Sequence, residues 1–495
     1  MSAHEKPGDS AATLVMTSGG DARILLDPAT GLNRYHSAPR PSDVLAYASS
    51  TANDISAAAF EHVEAVLGEI GGKLDGAGYA ARLDAIRGRI RRAYALSDDV
   101  AIVFAPSGTD LEYVGLACVE GRGAAGTHNV LLGADEVGTG CIHSAHGRYF
   151  AESTALGVAT RAGDPVPGFG DTRVEMIDIP VRDAEGRPRA SGEIVCRMEE
   201  AIAGPAAAGR HVLVHVVHGS KTGLILPSLA DIDALRERHG EAVTFLVDAC
   251  QARITSAAIA DYLERDAIVF VTGSKFMGGP PFSGFALVPP RLAAAAPALP
   301  EGLATIFRRA EWPTSWPGAA RLPNGANPGL LLRLEAAIFE LERFQRLAPE
   351  QVEQVILAFH AAVRREIIDP TPARRVAPYP PGEREEADTH PIEMRTLSTL
   401  DLSGLGPSTG TGQAGGTATF DDATRWHKSL LAQGVRLGQP VKCVTLPGGG
   451  WGATLRIGLA MPQVVERARL DPGALDASFR SDMARIRDAL LAVSA

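Results

Sequence analysis

Apolar residues recur at three- and four-residue spacing over residues 55–67 and again over 82–94, which puts them on one face of a helix in each segment. From residue 100 the pattern changes. Short β-branched and apolar runs at 100–105, 129–133, 173–179, 211–217, 244–247 and 267–271 alternate with segments of helical composition. Strands that read as continuous apolar runs between helices predict a mostly parallel sheet with helices on both faces. Helical spacing returns over 334–346, where the chain is expected to leave the large domain. Residues 370–386, rich in Pro, Arg and Glu, read as an exposed connection. Beyond them, strands are predicted at 391–400, 441–446 and 454–459 and a closing helix at 479–493, together a small α+β unit. The expected organisation is α/β: a frayed tail over 1–30, a large domain over 31–345 and a small C-terminal domain over 346–495.

Composition narrows the function classes. Hydrophobic residues make up 45% of the 495-residue chain and charged residues 21%, an ordinary globular balance that argues against a disordered or membrane-spanning protein. The formal net charge is -10, and no Lys/Arg run marks a footprint for nucleic acid. The five cysteines are scattered without CxxC pairs or histidine clusters, which speaks against structural zinc and for a reduced, cytoplasmic setting. A small-molecule ligand is the expected partner, with no metal, no nucleic acid and no membrane.

Three segments carry candidate chemistry. The run Ala105-Pro106-Ser107-Gly108-Thr109-Asp110 follows one predicted strand and precedes a helical pattern. Ser107, Gly108 and Thr109 would sit at a helix N-terminus, where free N–H groups and hydroxyls hold a phosphate; a plain helix cap is the competing interpretation. Next, Phe245-Leu246-Val247-Asp248 ends an apolar strand in a carboxylate, at the sheet edge where open α/β folds bind ligands, with a helix cap again as the alternative. Third, Lys275 stands at the end of the strand that begins at Val269 and precedes a Gly/Pro-rich turn. A lysine buried there has the lowered pKa that Schiff-base chemistry needs.

In this order and spacing the residues resemble the class V aminotransferase group of fold type I pyridoxal 5'-phosphate (PLP) enzymes, which includes cysteine desulfurases, kynureninases and alanine:glyoxylate aminotransferase. The likeness runs from about Asn33 to the C-terminus, and rests on Asp248, Gln251, Thr272 and Lys275 with Ser107, Gly108 and Thr109 upstream. It implies that Lys275 holds the cofactor as a Schiff base, Asp248 pairs with the ring nitrogen, and Gln251 reaches the phenolic oxygen. Thr272 and Ser274 join Gly108 and Thr109 around the phosphate. Ser220 lies in the turn that passes the ring, where Lys221 is a rival for the lysine role. Asn324 or Asn327 would reach the phosphate from a second subunit, since Ala326 stands where relatives often have threonine. Arg456, on a predicted strand, would grip a substrate α-carboxylate, the competing role being a surface ion pair.

No aromatic or histidine stands after the 129–133 strand where relatives stack one on the ring, and Glu136 and Val137 are nearest. Glu136 is therefore expected to handle protons or meet substrate, and Asn33 and Tyr35, where the likeness begins, are further substrate-side candidates. The resemblance implies a homodimer with shared active sites that converts an amino acid through an external aldimine and a carbanion. Transamination and β/γ-elimination or replacement both remain open, possible in a specialised biosynthesis. Desulfuration is disfavoured, because the loop 403–412 has no cysteine. A sugar-nucleotide aminotransferase or a non-catalytic binding protein of the same fold is the alternative.

Overall fold

The computed structural model describes residues 10–71, 73–134, 136–138, 140–169, 173–380, 392–406 and 417–494. Its main sheet has the order β2-β9-β8-β7-β5-β3-β4, where β2 is Ala101–Ala105, β3 Thr127–Leu132, β4 Val174–Ile179, β5 His211–His218, β7 Val243–Ala249, β8 Ile268–Thr272 and β9 Gly284–Val288. A short strand, β6 (Ile225–Leu226), pairs with β5 off this path. β4, β3, β5, β7 and β8 pair in parallel, while β9 runs antiparallel to both β8 and β2. The predicted mostly parallel sheet is present.

Burial on both faces explains why the strands read as unbroken apolar runs. Along β5, Val212, Val214 and Val216 join one core with Ile194 and Met198 of the helix Ser191–Ala207, whereas Leu213 joins a second core with α4 (Leu111–Val119). The alternation follows from side chains pointing to opposite faces at successive strand positions. Helices α2 (Ala57–Ile70) and α3 (Gly76–Tyr94) pack on the long helix Pro328–Phe344, whose residues are buried over most of its length.

Two smaller sheets stand apart from the main one. β10 (Arg374–Val376), β11 (Leu397–Asp401) and β13 (Thr454–Gly458) form an antiparallel trio, and β1 (Leu45–Tyr47) pairs in parallel with β12 (Val435–Leu437). Bridges from Ala48 to Gly458 and from Gly438 to Arg456 tie that pair to β13. The N-terminal segment thus crosses to the C-terminal sheets before the chain enters the main sheet. Among the described residues no helix is long and apolar enough to cross a membrane.

Several expectations change. Residues 1–9 of the expected tail lie outside the described residues, but from Ser10 onward the tail is folded: α1 (Ala11–Met16) buries Ala12 and Met16. Residues 441–446 are a loop joined by one bridge, Thr445 to Trp451, and the glycines after it adopt left-handed backbone, with φ of 86° at Gly449 and 82° at Gly450. The strand expected at 391–400 begins at Leu397, after a 3-10 turn over Ile392–Thr396. Of the connection at 370–386, Arg374–Val376 is the edge strand β10 and residues 381–386 lie outside the described set.

Candidate functional site

The loops that follow β2, β3, β5, β7 and β8 open on one edge of the main sheet, and Ser50, Thr51, Gln439 and Arg456 face them across a cleft of about 220 Å³. That volume lies below the roughly 300–1,000 Å³ of drug-sized ligand pockets, so it suits a compact ligand. Asp248 and Lys275 both line it, from the neighbouring parallel strands β7 and β8.

Lys275 follows β8 by three residues, and its Nζ donates to the Thr51 carbonyl at 2.7 Å. Burial, reinforced by the positive charges of Arg456 and Lys221, brings its pKa from 10.5 down to about 7. A large share of the amine is therefore neutral near neutral pH, the form that attacks a carbonyl. Asn53 fixes the backbone there, donating from Nδ2 to the carbonyls of Ser274 at 3.1 Å and Lys275 at 2.6 Å.

Asp248 accepts from the Cys250 N–H at 2.9 Å. Burial pushes its pKa up, opposed by the Cys250 contacts and by the cations Lys275 and Lys221. Behind it stands Glu112 of α4, raised well above the usual carboxylate range by burial and by the charge of Asp248. Its Oε2 lies 3.5 Å from Nε2 of His215, whose pKa burial lowers to about 3. Burial thus disfavours the charged forms of Glu112 and His215 alike, while the cations Lys275 and Lys221 favour the charged form of Asp248.

At the end of β2, the Ser107 hydroxyl donates to Asp110 at 2.5 Å, and Thr109 Oγ1 accepts from Arg23 Nη1 at 3.3 Å. Thr272 donates to the Cys250 carbonyl at 2.6 Å, and the Ser274 hydroxyl donates to Thr272 at 3.3 Å. Ser107, Gly108, Thr109, Thr272 and Ser274 line the same end of the cleft as the sequence places them. A Cβ added at Gly108 would stand 3.0 Å from Thr272 Cγ2 and 3.6 Å from Cys250 Sγ, so a side chain there would occupy the cradle.

Gln251 lines the cleft while Arg253 holds its Oε1 at 2.7 Å; its Nε2 donates one hydrogen to Ser50 O at 3.2 Å and keeps another. Arg253, fully buried, also binds Ser49 Oγ and Thr396 Oγ1, so it sets the amide's orientation. Arg456 is buried on β13 and lines the cleft without an ion pair among the described residues. It donates from Nε to Gln439 O, from Nη1 to Ser50 O and Lys221 O, and from Nη2 to Thr51 Oγ1. Of its five N–H groups, one on Nη2 remains. Burial lowers its pKa to about 10, still well above neutral pH.

Three sequence candidates are placed otherwise than expected. Glu136 borders the cleft, but Arg182 at 2.6 Å, Ser220 at 2.7 Å and both donors of Thr222 at 3.0 Å occupy its carboxylate. Burial raises its pKa, but Arg182 and these hydrogen bonds outweigh burial and hold it below the usual value. It is a fixed anion, unsuited to exchanging protons, and Ser220 spends its hydroxyl on it. Asn33 is buried away from the cleft, its Oδ1 closing a turn with the N–H groups of Tyr35 at 2.8 Å and Ser37 at 3.2 Å. Asn327 caps the helix Pro328–Phe344 through Leu330 N–H at 3.0 Å and donates to Gly19 O at 3.0 Å, which commits both ends of its amide. Tyr35 and Val137 do line the cleft, as does Lys221. Sequence reasoning missed Arg23, Arg253 and Phe282. Phe282 adopts left-handed backbone, φ 73°, at the cleft wall, where such strain is commonly kept for function.

No family model matches the chain, and no curated protein matches it. Solved structures do match over nearly its whole length. Ureidoglycine-glyoxylate aminotransferase from Bacillus subtilis is 13% identical with a TM-score of 0.54, covering 92% of this chain and 93% of that one. The cysteine desulfurase CsdA from Escherichia coli is 16% identical with a TM-score of 0.54, covering 91% and 94%. The cystine C-S lyase C-DES, in a variant with glycine covalently linked to its PLP cofactor, is 16% identical with a TM-score of 0.55, covering 89% and 97%. The chain has the fold of these enzymes, fold type I.

Proposed function

We propose that the chain is a PLP-dependent enzyme that acts on an amino acid by transamination or by elimination or replacement at the β or γ carbon. The observation that carries this is one cleft holding a partly neutral lysine and a buried carboxylate from adjacent strands, Lys275 and Asp248, lined also by the Ser107–Thr109 turn and by Arg456, which has no ion pair among the described residues. The residues fit the cofactor: a Gly108 cradle for the phosphate, an N–H of Gln251 left over, and an amine of low pKa for the carbonyl carbon.

Pyridoxal phosphate supplies, when bound, an electron sink for the substrate's α-carbon. In this proposal Lys275 attaches the cofactor and, once displaced by substrate, takes or returns the α-proton at Nζ. Asp248 holds a proton on the ring nitrogen. The turn at Ser107, Gly108 and Thr109 would hold the phosphate with Thr272 and Ser274, the Ser107 hydroxyl being engaged by Asp110, and Gln251 would orient the ring through its free N–H. Arg456 binds the substrate carboxylate, which favours an amino acid over a sugar nucleotide. Aliphatic Val137 lines the cleft in the place of a stacking ring, a difference we connect with specialised biosynthesis.

Residues 31–345 would form the cofactor-binding domain and 346–495 the small domain of a cytoplasmic homodimer with shared active sites. Desulfuration stays disfavoured, since residues 403–412 contain no cysteine. The test is absorbance of protein loaded with PLP near ~420 nm, followed by borohydride reduction and peptide mass spectrometry. A reduced adduct on Lys275 is expected. An adduct on Lys221, or none, refutes the proposal. Spectral screening of amino acids with product mass spectrometry then identifies the bond broken.

A further inference from the structure

The N-terminal segment delivers a cation into the anion turn. Arg23 lies in the 3-10 turn Ala22–Ile24 after α1 and lines the cleft together with Ser107, Gly108 and Thr109. Asp21 holds it by two parallel contacts, Nε to Oδ1 at 2.9 Å and Nη2 to Oδ2 at 2.6 Å. That fork leaves Nη1 on the opposite side, 3.3 Å from Thr109 Oγ1. The guanidinium lies between the rings of Phe150 and Phe282, at 4.9 and 5.0 Å from their centroids, which fixes its plane. Its side chain is 20% exposed against 5% for Asp21, so the arginine is the member of the pair that reaches the cleft.

The segment is held tightly for a chain end. Buried Arg333 donates to the carbonyls of Met16 and Ser18 at 2.7 Å and of Gly19 at 3.0 Å. The approach is close enough to require glycine on both sides. A Cβ at Gly19 would stand 1.8 Å from Asn327 Oδ1, and one at Gly329 would stand 2.1 Å from Ser18 O. Contacts of this kind position residues 16–19 against the long helix and thereby set where Arg23 falls.

The turn also needs a cation. The Ser107 hydroxyl points to Asp110, a carboxylate rather than a ligand, and the helix N-terminus supplies only partial charge. Asn327 caps the long helix and binds Gly19 O, outside the cleft lining, and Ala326 beside it has no side-chain donor. We infer that Arg23 binds the phosphate group of the cofactor through Nη1, together with Thr109, as a fixed charge supplied by the chain's own N-terminal segment. The inference rests on the proposed use of PLP.

The experiment compares wild type, Arg23→Ala and Arg23→Lys as cofactor-free proteins, titrated with PLP, with pyridoxal, which lacks the phosphate, and with inorganic phosphate by calorimetry. Loss of a charge-assisted contact weakens PLP binding by roughly ten- to a hundredfold in Arg23→Ala and by less in Arg23→Lys, with pyridoxal affinity unchanged. Equal PLP affinity in all three proteins overturns the inference, as does a parallel loss of PLP and pyridoxal, which marks a purely structural residue. Should Arg23→Ala fail to fold, as judged by its thermal transition, the Arg23→Lys comparison decides on the same criteria. If wild type itself takes up no PLP, the proposed function fails, and phosphate binding by wild type against Arg23→Lys decides whether Arg23 is an anion ligand.

Discussion

Replacing Lys275 by Met tests whether the amine is neutral in the folded protein before any cofactor is involved. The folded pKa is about 7 and the ordinary value 10.5. Between those pH values the unfolded chain binds a proton that the folded chain lacks, so this lysine makes stability rise with pH. Below pH 7 both states hold the proton, and above 10.5 neither does, so the dependence is confined to that window. From pH 6 to pH 9 the unfolded lysine stays protonated while the folded one loses nearly all of its proton, which integrates to about 2.5 kcal/mol at 1.36 kcal/mol per pH unit. Urea melts of cofactor-free wild type and Lys275→Met at four pH values across that range supply the measurement. Wild type should gain about 2.5 kcal/mol more than the mutant between the two ends. Removing the cation also raises the Asp248 carboxyl further, which adds to the difference in the same direction. Parallel pH profiles for the two proteins would show that Lys275 keeps an ordinary pKa, and would remove the basis for its nucleophilic role.

Asp248→Asn should still be reduced onto Lys275 by borohydride yet exchange the α-proton of a confirmed substrate roughly a hundredfold or more slowly; exchange at the wild-type rate would rule out Asp248 as the ring-nitrogen partner. Arg456→Ala should weaken amino-acid binding by roughly 2–5 kcal/mol, read as a shift in spectral titration midpoint, and an unchanged midpoint would favour a substrate without a carboxylate. Glu136→Gln should cost about 3–5 kcal/mol in urea melts by removing the buried negative charge opposite Arg182, with no shift in the pH profile of turnover; a lost acid or base limb would restore Glu136 as a proton carrier.

The main sheet was legible because two-sided burial turns each strand into an apolar run, and the order of Asp248 and Lys275 follows from their places at the ends of neighbouring strands. What escaped was non-local. β1 and β12 have three residues each, and Leu45 pairs with Val435, so neither carries a local signal strong enough to be read. Residues 441–446 have strand-like composition, but the left-handed glycines at 449 and 450 turn the chain back on itself. Arg23 was lost with the tail, although Ser10 before an apolar run is a helix-start signal, and its side chain does cap Thr13 N–H at 3.3 Å. Asn33 and Asn327 look like ligands in sequence because the same short amide that binds a phosphate or carboxylate also closes turns and caps helices. Glu136 was placed correctly beside the cleft, but its buried partner Arg182 follows β4, outside the motif that drew attention to it.

The short segment between β1 and α2 links the parts of the site that must change together. Thr51 O accepts from Lys275 Nζ, Ser50 O from both Gln251 and Arg456, Thr51 Oγ1 from Arg456, and Asn53 holds the backbone at Lys275. Arg456 has a single N–H to spare, so a two-pronged grip on a carboxylate requires it to release one of the acceptors it now holds, Gln439 O, Ser50 O, Lys221 O or Thr51 Oγ1. That exchange is favourable in itself, since a hydrogen bond to an ionised carboxylate is roughly twice as strong as one to a neutral carbonyl. Where Ser50 O or Thr51 Oγ1 is the acceptor released, it lies in the same loop that Lys275 must leave when its nitrogen is committed elsewhere. Under the proposed function, carboxylate binding at Arg456 and the availability of the Lys275 amine would therefore share residues 50–53, and these residues lie there because β1 crosses to β12 before the chain enters the main sheet.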